Sequence, residues 1–266
     1  MNYNQIIDKA FDAAYNVAKQ LQLSGEASQP ISYGAFGDLT YRIDKDVETV
    51  ILDIVKKYLP DSLIISEEAG LIGNFDGFPL VLIDPVDGST NAFQKIPFYS
   101  STFTIIDGYT FRDVVSAGVI DLVNNDRIVS EEQGLVLLNG EPSYPSSNEL
   151  LENAYINLNV HTKNIIKSEK WLMSLLQQIR HSRFLGSAAL ETAYVAVGRS
   201  DSFIQMNPDL RSFDCIGPLY LVKSAGGCIN FLNVDINHID LRKPERFAYV
   251  ASNNIALNHK IMLLKK

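Results

Sequence analysis

The densest chemistry in the chain lies in Val81-Leu82-Ile83-Asp84-Pro85-Val86-Asp87-Gly88-Ser89-Thr90-Asn91. A buried strand delivers Asp84 at its C-terminal end, Pro85 stiffens the turn, and Asp87 follows three positions later. Gly88 allows close backbone approach, and Ser89, Thr90 and Asn91 are helix-capping residue types. Two acids on a rigid turn beside a helix start suit hard divalent cations, which take oxygen ligands. The free N–H groups of that helix end suit a phosphate. Asp-Pro and Asp-Gly also make turns with no chemistry attached, so this segment does not decide alone.

Other acids stand at comparable places. Ser66-Glu67-Glu68 follows a second short apolar run, and an acidic pair there is also simply a solvated pair. Phe213-Asp214-Cys215-Ile216-Gly217-Pro218 puts Asp214 at the start of a largely apolar helix that stops at Ala225-Gly226-Gly227. Ile43-Asp44-Lys45 does the same for an earlier helix. Aspartate is a common N-cap and the helix dipole favours it there, so each of these has a plain structural role available. The conjunction of all four is what points to a shared site.

The elements that must position these acids alternate in type. Apolar residues at helical spacing predict a first helix over Tyr3 to Leu23, with Ile6, Ile7, Ala10, Phe11, Ala14, Val17, Ala18 and Leu21 on one face. Ser24 to Thr40 reads as a long polar loop and Lys45 to Leu59 as a helix stopped by Pro60. Strands are predicted at Leu63–Ile65, Leu80–Ile83, Tyr99–Ile106, Val114–Leu122, Arg127–Ser130 and Leu135–Leu138, the last followed by an Asn139-Gly140 turn. A Pro/Ser-rich connector at Ser143–Leu150 divides the chain softly into 1–145 and 146–266, halves of one compact unit. Beyond it come strands at Tyr155–Leu158, Ser202–Ile204, Cys228–Phe231 and Phe247–Ala251. Helices are predicted at Glu169–Ile179, Ala188–Val197 and Asp214–Ser224, with a last one starting at Ala256. This is a mixed α/β chain of two interlocked halves.

Composition narrows the classes. With 266 residues, 46% hydrophobic and 20% charged, the chain can bury a core without covalent staples. A net charge of −8 argues against nonspecific duplex nucleic-acid binding, which depends on cationic neutralisation of phosphates. Cys215 and Cys228 are too few for a disulfide framework or a zinc site and read as reduced, buried side chains. His161, His181, His238 and His259 are scattered, so no His-based metal site or triad assembles from spacing. Ser187 lacks the GxSxG setting of a nucleophile elbow, and Trp171 reads as core or interface. The N-terminus lacks a signal-peptide layout and no apolar run reaches about 18 residues. A cytoplasmic protein with no membrane partner is expected.

The motifs together resemble the inositol monophosphatase and fructose-1,6-bisphosphatase superfamily of lithium-sensitive, magnesium-dependent phosphatases. Asp84 to Asn91 matches its DPxDGTxN motif, with Ser89 in the usual Thr place, and Ser66-Glu67-Glu68 matches its (G/S)EE element. Phe213-Asp214 with Ala225-Gly226-Gly227 matches WD…AGG. Gly186-Ser187-Ala188-Ala189-Leu190, Ala196-Val197-Gly198-Arg199-Ser200-Asp201 and Asn139-Gly140-Glu141-Pro142 match further segments, in order over roughly residues 4 to 260. The resemblance implies an α/β (α+β) fold, a layered αβαβα sandwich, and a homodimer. It implies that Glu67, Asp84 and the Val86 carbonyl hold one magnesium, that Asp84, Asp87 and Asp214 hold a second, and that Glu67 reaches a weaker third. Asp44 and Ser89 would orient or deprotonate the attacking water, with Asp44, Glu67 and Ser89 as the catalytic set. The N–H groups of Gly88 and Ser89, next to Asp87, would cradle the phosphate, and the Ala188 backbone would touch the leaving group.

Some positions depart from the family pattern. In Gly34-Ala35-Phe36-Gly37-Asp38-Leu39-Thr40, Phe36 stands where the archaeal branch has an acid, and Asp38 is displaced by two. Asn207 occupies the place, seven before Asp214, where animal inositol monophosphatases carry a Glu. Arg211 is a candidate contact for a second substrate phosphate or a surface arginine, and Arg180, Arg183 and Arg199 are similar candidates. The expected activity is hydrolysis of a small sugar or cyclitol phosphate, inositol 1-monophosphate first. Fructose 1,6-bisphosphate is the alternative substrate and a nucleotide 3′-phosphate a more distant one; a non-catalytic regulatory homologue is the rival class. The DxxDG spacing of Asp84 and Asp87 differs from the DxDG of phosphatases that form a phosphoaspartate.

Overall fold

Helix α1 (Tyr3–Ser24) begins in a reciprocal cap. The Gln5 N–H donates to the Asn2 side chain at 3.0 Å, and the Asn2 N–H donates to the Gln5 side chain at 3.2 Å. Gly25, at a φ of 79°, ends it in the left-handed region that favours glycine. The periodic face of α1 is buried, with Val17 at its margin, and helix α2 (Arg42–Tyr58) packs alongside. The computed structural model describes residues 2–131, 134–160 and 165–265, so His161 lies outside the described residues.

Among the described residues the strands before the connector are β1 (Pro30–Tyr33), β2 (Leu39–Tyr41), β3 (Leu63–Ser66), β4 (Gly70–Ile72), β5 (Leu80–Asp87), β6 (Ser100–Ile106), β7 (Val114–Asp121), β8 (Arg127–Glu131), β9 (Leu135–Leu138) and β10 (Glu141–Ser143). Five follow it: β11 (Tyr155–Asn159), β12 (His181–Arg183), β13 (Ser202–Leu210), β14 (Cys228–Phe231) and β15 (Phe247–Ser252). The remaining helices are α3 (Ser89–Gln94), α4 (Ile165–Leu176), α5 (Ala188–Ala196), α6 (Ser212–Ser224) and α7 (Ile255–Leu263). An eight-stranded sheet runs β10-β9-β8-β7-β6-β5-β3-β4, antiparallel except between β3 and β5. A five-stranded sheet runs β12-β11-β13-β15-β14, with β11 parallel to both neighbours.

Burial orders these elements into layers. Helices α1 and α2 cover one face of the large sheet through Phe11, Ile51 and Phe103. Helices α5 and α6 fill the space between the sheets, with Leu190, Phe213, Leu219, Phe203 and Tyr249 in one core. Trp171 and Leu175 of α4 and Leu257 and Ile261 of α7 cover the outer face of the small sheet. The result is the expected αβαβα sandwich, and Trp171 belongs to its core. Among the described residues no helix is long and apolar enough to cross a membrane.

The differences from expectation are local. The stretch read as the loop Ser24–Thr40 contains the two-stranded hairpin β1–β2, whose β1 residues are all exposed and so carry no burial pattern. Strands β4, β10 and β12 have three residues each, too few for alternation to register. Helix α4 begins at Ile165 and ends at Leu176, short of the expected Ile179. Cys215 is buried as expected, whereas Cys228 on edge strand β14 is only partly covered; both are free thiols.

Close packing between α1 and β7 depends on Gly118. A methyl group there would lie 2.8 Å from the Phe11 ring and 3.0 Å from Ile7, both fully buried. Gly118→Ala is therefore expected to destabilise the protein by about 1–3 kcal/mol, the usual cost of overpacking. Urea denaturation with an unchanged midpoint would contradict this packing.

Candidate active site

Strand β5 leads the site residues out of the core. Its pairing with β6 shifts register between Asp84 and Asp87, so both carboxyl groups leave the strand near its end. Gly88 then takes a φ of +91°, and a Cβ there would lie 2.9 Å from the Gly186 carbonyl oxygen, so only glycine fits. Helix α3 starts at the next residue, and the Ser89 hydroxyl donates back to the Val86 carbonyl at 2.8 Å. Parallel strand β3 ends at Ser66 and brings Glu67 beside Asp84, while Glu68 accepts from the Thr40 hydroxyl. From the other side α6 contributes Asp214, whose carboxylate accepts the Arg211 N–H at 2.7 Å. Asp44 caps α2 in the same way, accepting the Tyr41 N–H at 2.8 Å.

These acids are kept from water and feel one another's charge. Asp84 is 2% exposed, and burial followed by Glu67, Asp87 and Asp214 raises its pKa well above the usual carboxylate range. Glu67 is raised in the same sense by burial, Asp214 and Glu68, against the lowering effect of the Arg211 guanidinium at 3.3 Å. Burial pushes Asp214 up to about 7, and also Asp44, which is 1% exposed and adjoins the Ser89 hydroxyl. Asp87 is raised by burial and opposed by donors: the Ser187 hydroxyl at 2.5 Å, the Ala189 N–H at 2.8 Å, the Ser100 hydroxyl at 3.4 Å and the Ala188 N–H. The Ala188 N–H thus faces Asp87 at the start of α5.

Arg211 is not a surface arginine. Its side chain is 13% exposed, pairs with Asp38 at 2.6 Å and Glu67 at 3.3 Å, and lies over the Phe36 and Phe213 rings. Phe36 is likewise more than a stray loop residue, since its ring meets Phe213 at 5.5 Å. Arg199 pairs with Asp126, away from the carboxylates, while Arg180 and Arg183 are exposed. His181 packs on Tyr155 and His238 pairs with Asp235; neither joins the acidic cluster.

The supporting parts of four residues escaped the sequence reading, which noted Ser187 only within a motif. Glu48, fully buried one turn after Asp44, accepts from the Ser66 hydroxyl at 2.6 Å and the Ala69 N–H at 2.8 Å, fixing the chain around Glu67. Glu191, pushed up to about 8 by burial, accepts the Leu185 and Gly186 N–H groups and so shapes the turn that carries Ser187. Ser187 and Ser100 hold Asp87. The one sequence signal was the spacing: Glu48 and Glu191 each fall four residues after Asp44 and Ser187, on a helix face that is otherwise apolar.

Could these residues hold a divalent cation? The donors are all hard oxygens, and among the described residues Asp44 Oδ1 and Asp84 Oδ1 are buried with no hydrogen-bond partner. A cation would stabilise the charged forms that burial disfavours. Among the described residues no three acidic, His or Cys side chains already converge as a ready cage, so the carboxylates fit by chemistry and would have to gather around the ion.

Comparison with known proteins fits this frame. A model of the inositol monophosphatase family matches residues 2–262. The bifunctional NADP phosphatase/NAD kinase of Methanococcus maripaludis is 28% identical over 274 residues, which cover 92% of this chain and 47% of that relative, so the chain spans about half its length. The fructose-1,6-bisphosphatase/inositol-1-monophosphatase of Thermotoga maritima is 32% identical over 198 residues, covering 73% of this chain and 72% of the relative. The crystal structure of an extragenic suppressor protein from Bartonella henselae shares the fold, with a TM-score of 0.84 over 98% of each chain at 23% identity. Matched over nearly its whole length, the chain belongs to the inositol monophosphatase family.

Proposed function

We propose that this protein is a magnesium-dependent phosphomonoesterase for small sugar or cyclitol phosphates, inositol 1-monophosphate first, that works by attack of an activated water and as a homodimer. The observation that carries the proposal is the gathering of Glu67, Asp84, Asp87 and Asp214 from β3, β5 and α6, with Asp44 and Ser89 alongside. Fructose 1,6-bisphosphate is the alternative substrate, favoured by the double name of the Thermotoga maritima relative.

Glu67, Asp84 with the Val86 carbonyl, Asp87 and Asp214 would hold two to three magnesium ions. When bound, these would lower the pKa of the attacking water and neutralise charge on the transferring phosphoryl group. The Ser89 hydroxyl, between the Val86 carbonyl and Asp44, orients that water. Asp44, with Oδ1 lacking a hydrogen-bond partner among the described residues and the Ser89 hydroxyl beside it, takes its proton. The water oxygen bonds to phosphorus, the ester P–O bond breaks, the leaving oxygen takes a proton from solvent, and Asp44 returns its own to solvent. The N–H groups of Gly88 and Ser89 receive the phosphate, and the Ala188 backbone borders the leaving group. Arg211 holds Glu67 in place and, freed from Asp38, is positioned for a second phosphate.

Phosphate release is to be measured with and without magnesium from inositol 1-phosphate, fructose 1,6-bisphosphate and adenosine 3′,5′-bisphosphate. Release from the first two that requires magnesium is expected; none from any substrate would favour the regulatory-homologue class. Asp87→Asn should lower kcat by more than roughly a hundredfold, beyond the usual loss for an outer-shell change, with the far-ultraviolet spectrum unaltered. Full activity in that variant would remove the metal assignment.

The raised carboxyl groups also predict a pH dependence of stability without metal. Asp44 and Asp214 move from 3.8 to about 7 on folding, so the native state binds more protons than the unfolded state between those values. Their contribution is therefore greatest at the acid end and lost as pH rises through about 7. Chelator-treated protein should lose at least about 2–4 °C in Tm across that range, the shift for one kcal/mol in a chain of this size. Asp214→Asn should make the slope shallower; an identical slope in the variant would refute the link.

A further inference from the structure

The chain carries a net charge of −8, yet one of its cavities is walled by cations. The cavity has a volume of about 370 Å³, within the range of small-molecule sites. Arg211, Arg242, Lys243 and Arg246 line it, and among the described residues Glu245 is the one carboxylate that does. Arg211 is already paired with Asp38 and Glu67, and Arg242 with Asp240 and Asp76. Lys243 and Arg246 are exposed and form no ion pair among the described residues; Arg246 donates to the Asp209 backbone carbonyl. Neither Asp44, Glu67, Asp84, Asp87 nor Asp214 lines the cavity, so Arg211 is its border with the acids.

Much of the remaining wall is carbon. The Phe36 and Phe213 rings meet at 5.5 Å with the Arg211 guanidinium over both, and Ile65, Leu71 and Leu241 add aliphatic surface. Ser212, at the start of α6, is 6% exposed, and its hydroxyl has no hydrogen-bond partner among the described residues. A polyol seated here would lose water from its hydroxyls against carbon without gaining hydrogen bonds in return. A neutral hydrocarbon would leave the cations and the buried hydroxyl unmet. An aromatic carboxylate satisfies both parts of the wall. Its ring makes the offset or edge-on contacts that aromatic side chains favour, and its charge takes the stronger hydrogen bonds that cations donate.

We propose that this cavity is an accessory site for an aromatic carboxylate, separate from the acidic cluster and bordering it through Arg211. One or two fused rings lie against Phe36, Phe213 and Leu241, and the carboxylate is held by Lys243 and Arg246. The bound anion draws on a guanidinium that also contacts Glu67, so occupancy of the cavity is felt at the acids. The site does not depend on the phosphatase function proposed above and would serve a non-catalytic homologue equally.

The probe is 2-naphthoate, which has the rings and the carboxylate but no phosphate to enter the acidic cluster. Calorimetry should show saturable binding to the wild-type protein. The Lys243→Gln/Arg246→Gln double variant should bind it at least about tenfold more weakly, and the wild type should discriminate as strongly against the neutral 2-naphthalenemethanol. Leu71→Glu puts a second carboxylate in the wall at a residue already 49% exposed, and should weaken binding to a similar extent. Decanoate, of similar carbon number, should bind less tightly than naphthoate because it makes no ring contacts. Asp87→Asn, outside the cavity, should leave naphthoate affinity within about twofold, as for independent sites. Absent saturable binding, equal affinity for the neutral alcohol, or unchanged affinity in both cavity variants would overturn the site. Tighter binding of decanoate would overturn the aromatic class, and lost binding in Asp87→Asn would overturn the separation from the acids. Calorimetry needs no turnover, so a protein that binds naphthoate and releases no phosphate would lose only the phosphatase function.

Discussion

Carboxyl groups held out of water and close together repel one another, and burial makes each keep its proton more tightly. Glu67, Asp84, Asp87 and Asp214 exist under that constraint, and much of the surrounding fold acts against it. Asp214 and Asp44 are each fixed by a backbone N–H three residues upstream, so the helix starts that place them also stabilise them. Asp87 is gripped by two serine hydroxyls and the N–H groups that open α5. Arg211 is the one cation in hydrogen-bonding contact with the four acids among the described residues. Added cations would offset charge that the described residues leave so sparsely neutralised.

The two halves of the chain meet in this cluster. The Asp84 N–H donates to the Thr102 hydroxyl of β6, which donates in turn to the Phe213 carbonyl at the start of α6. Gly217 lets α6 press against Thr104 of the same strand, where any side chain would collide with the threonine hydroxyl. Asn91 of α3 reaches the Leu185 carbonyl, and Gly88 lies against Gly186. The β5–α3 turn, the buried acids and the α5 start therefore form one hydrogen-bonded unit. Movement of α6 would be felt at Asp84 and Asp87 together.

Outside that unit, contacts from the β1–β2 hairpin reach the edge of the cluster. The β1–β2 hairpin brings Phe36 over Arg211 and Asp38 into an ion pair with it, so a peripheral turn sets the position of a guanidinium that also contacts Glu67. The same aromatic pair forms a wall of the cavity next to the acids. The acidic cluster and the aromatic cavity thus lie on different parts of the fold, joined through Arg211.

The sequence by itself determined the helix α1 face, the buried runs at β3 and β5, the Asn139-Gly140 turn and the acids at strand and helix ends. Those features rest on local periodicity, on turn chemistry or on capping, which neighbouring residues suffice to specify. The family motifs likewise lie in short contiguous segments. Tertiary structure alone decided the rest. Whether Arg211 was a surface residue depended on Phe36, 175 positions earlier, and on Asp38 and Glu67. The parts of Glu48, Ser100, Ser187 and Glu191 came from contacts across β-sheet and helix layers, because a buried carboxylate finds its donors wherever the folded chain brings them, irrespective of distance along the sequence.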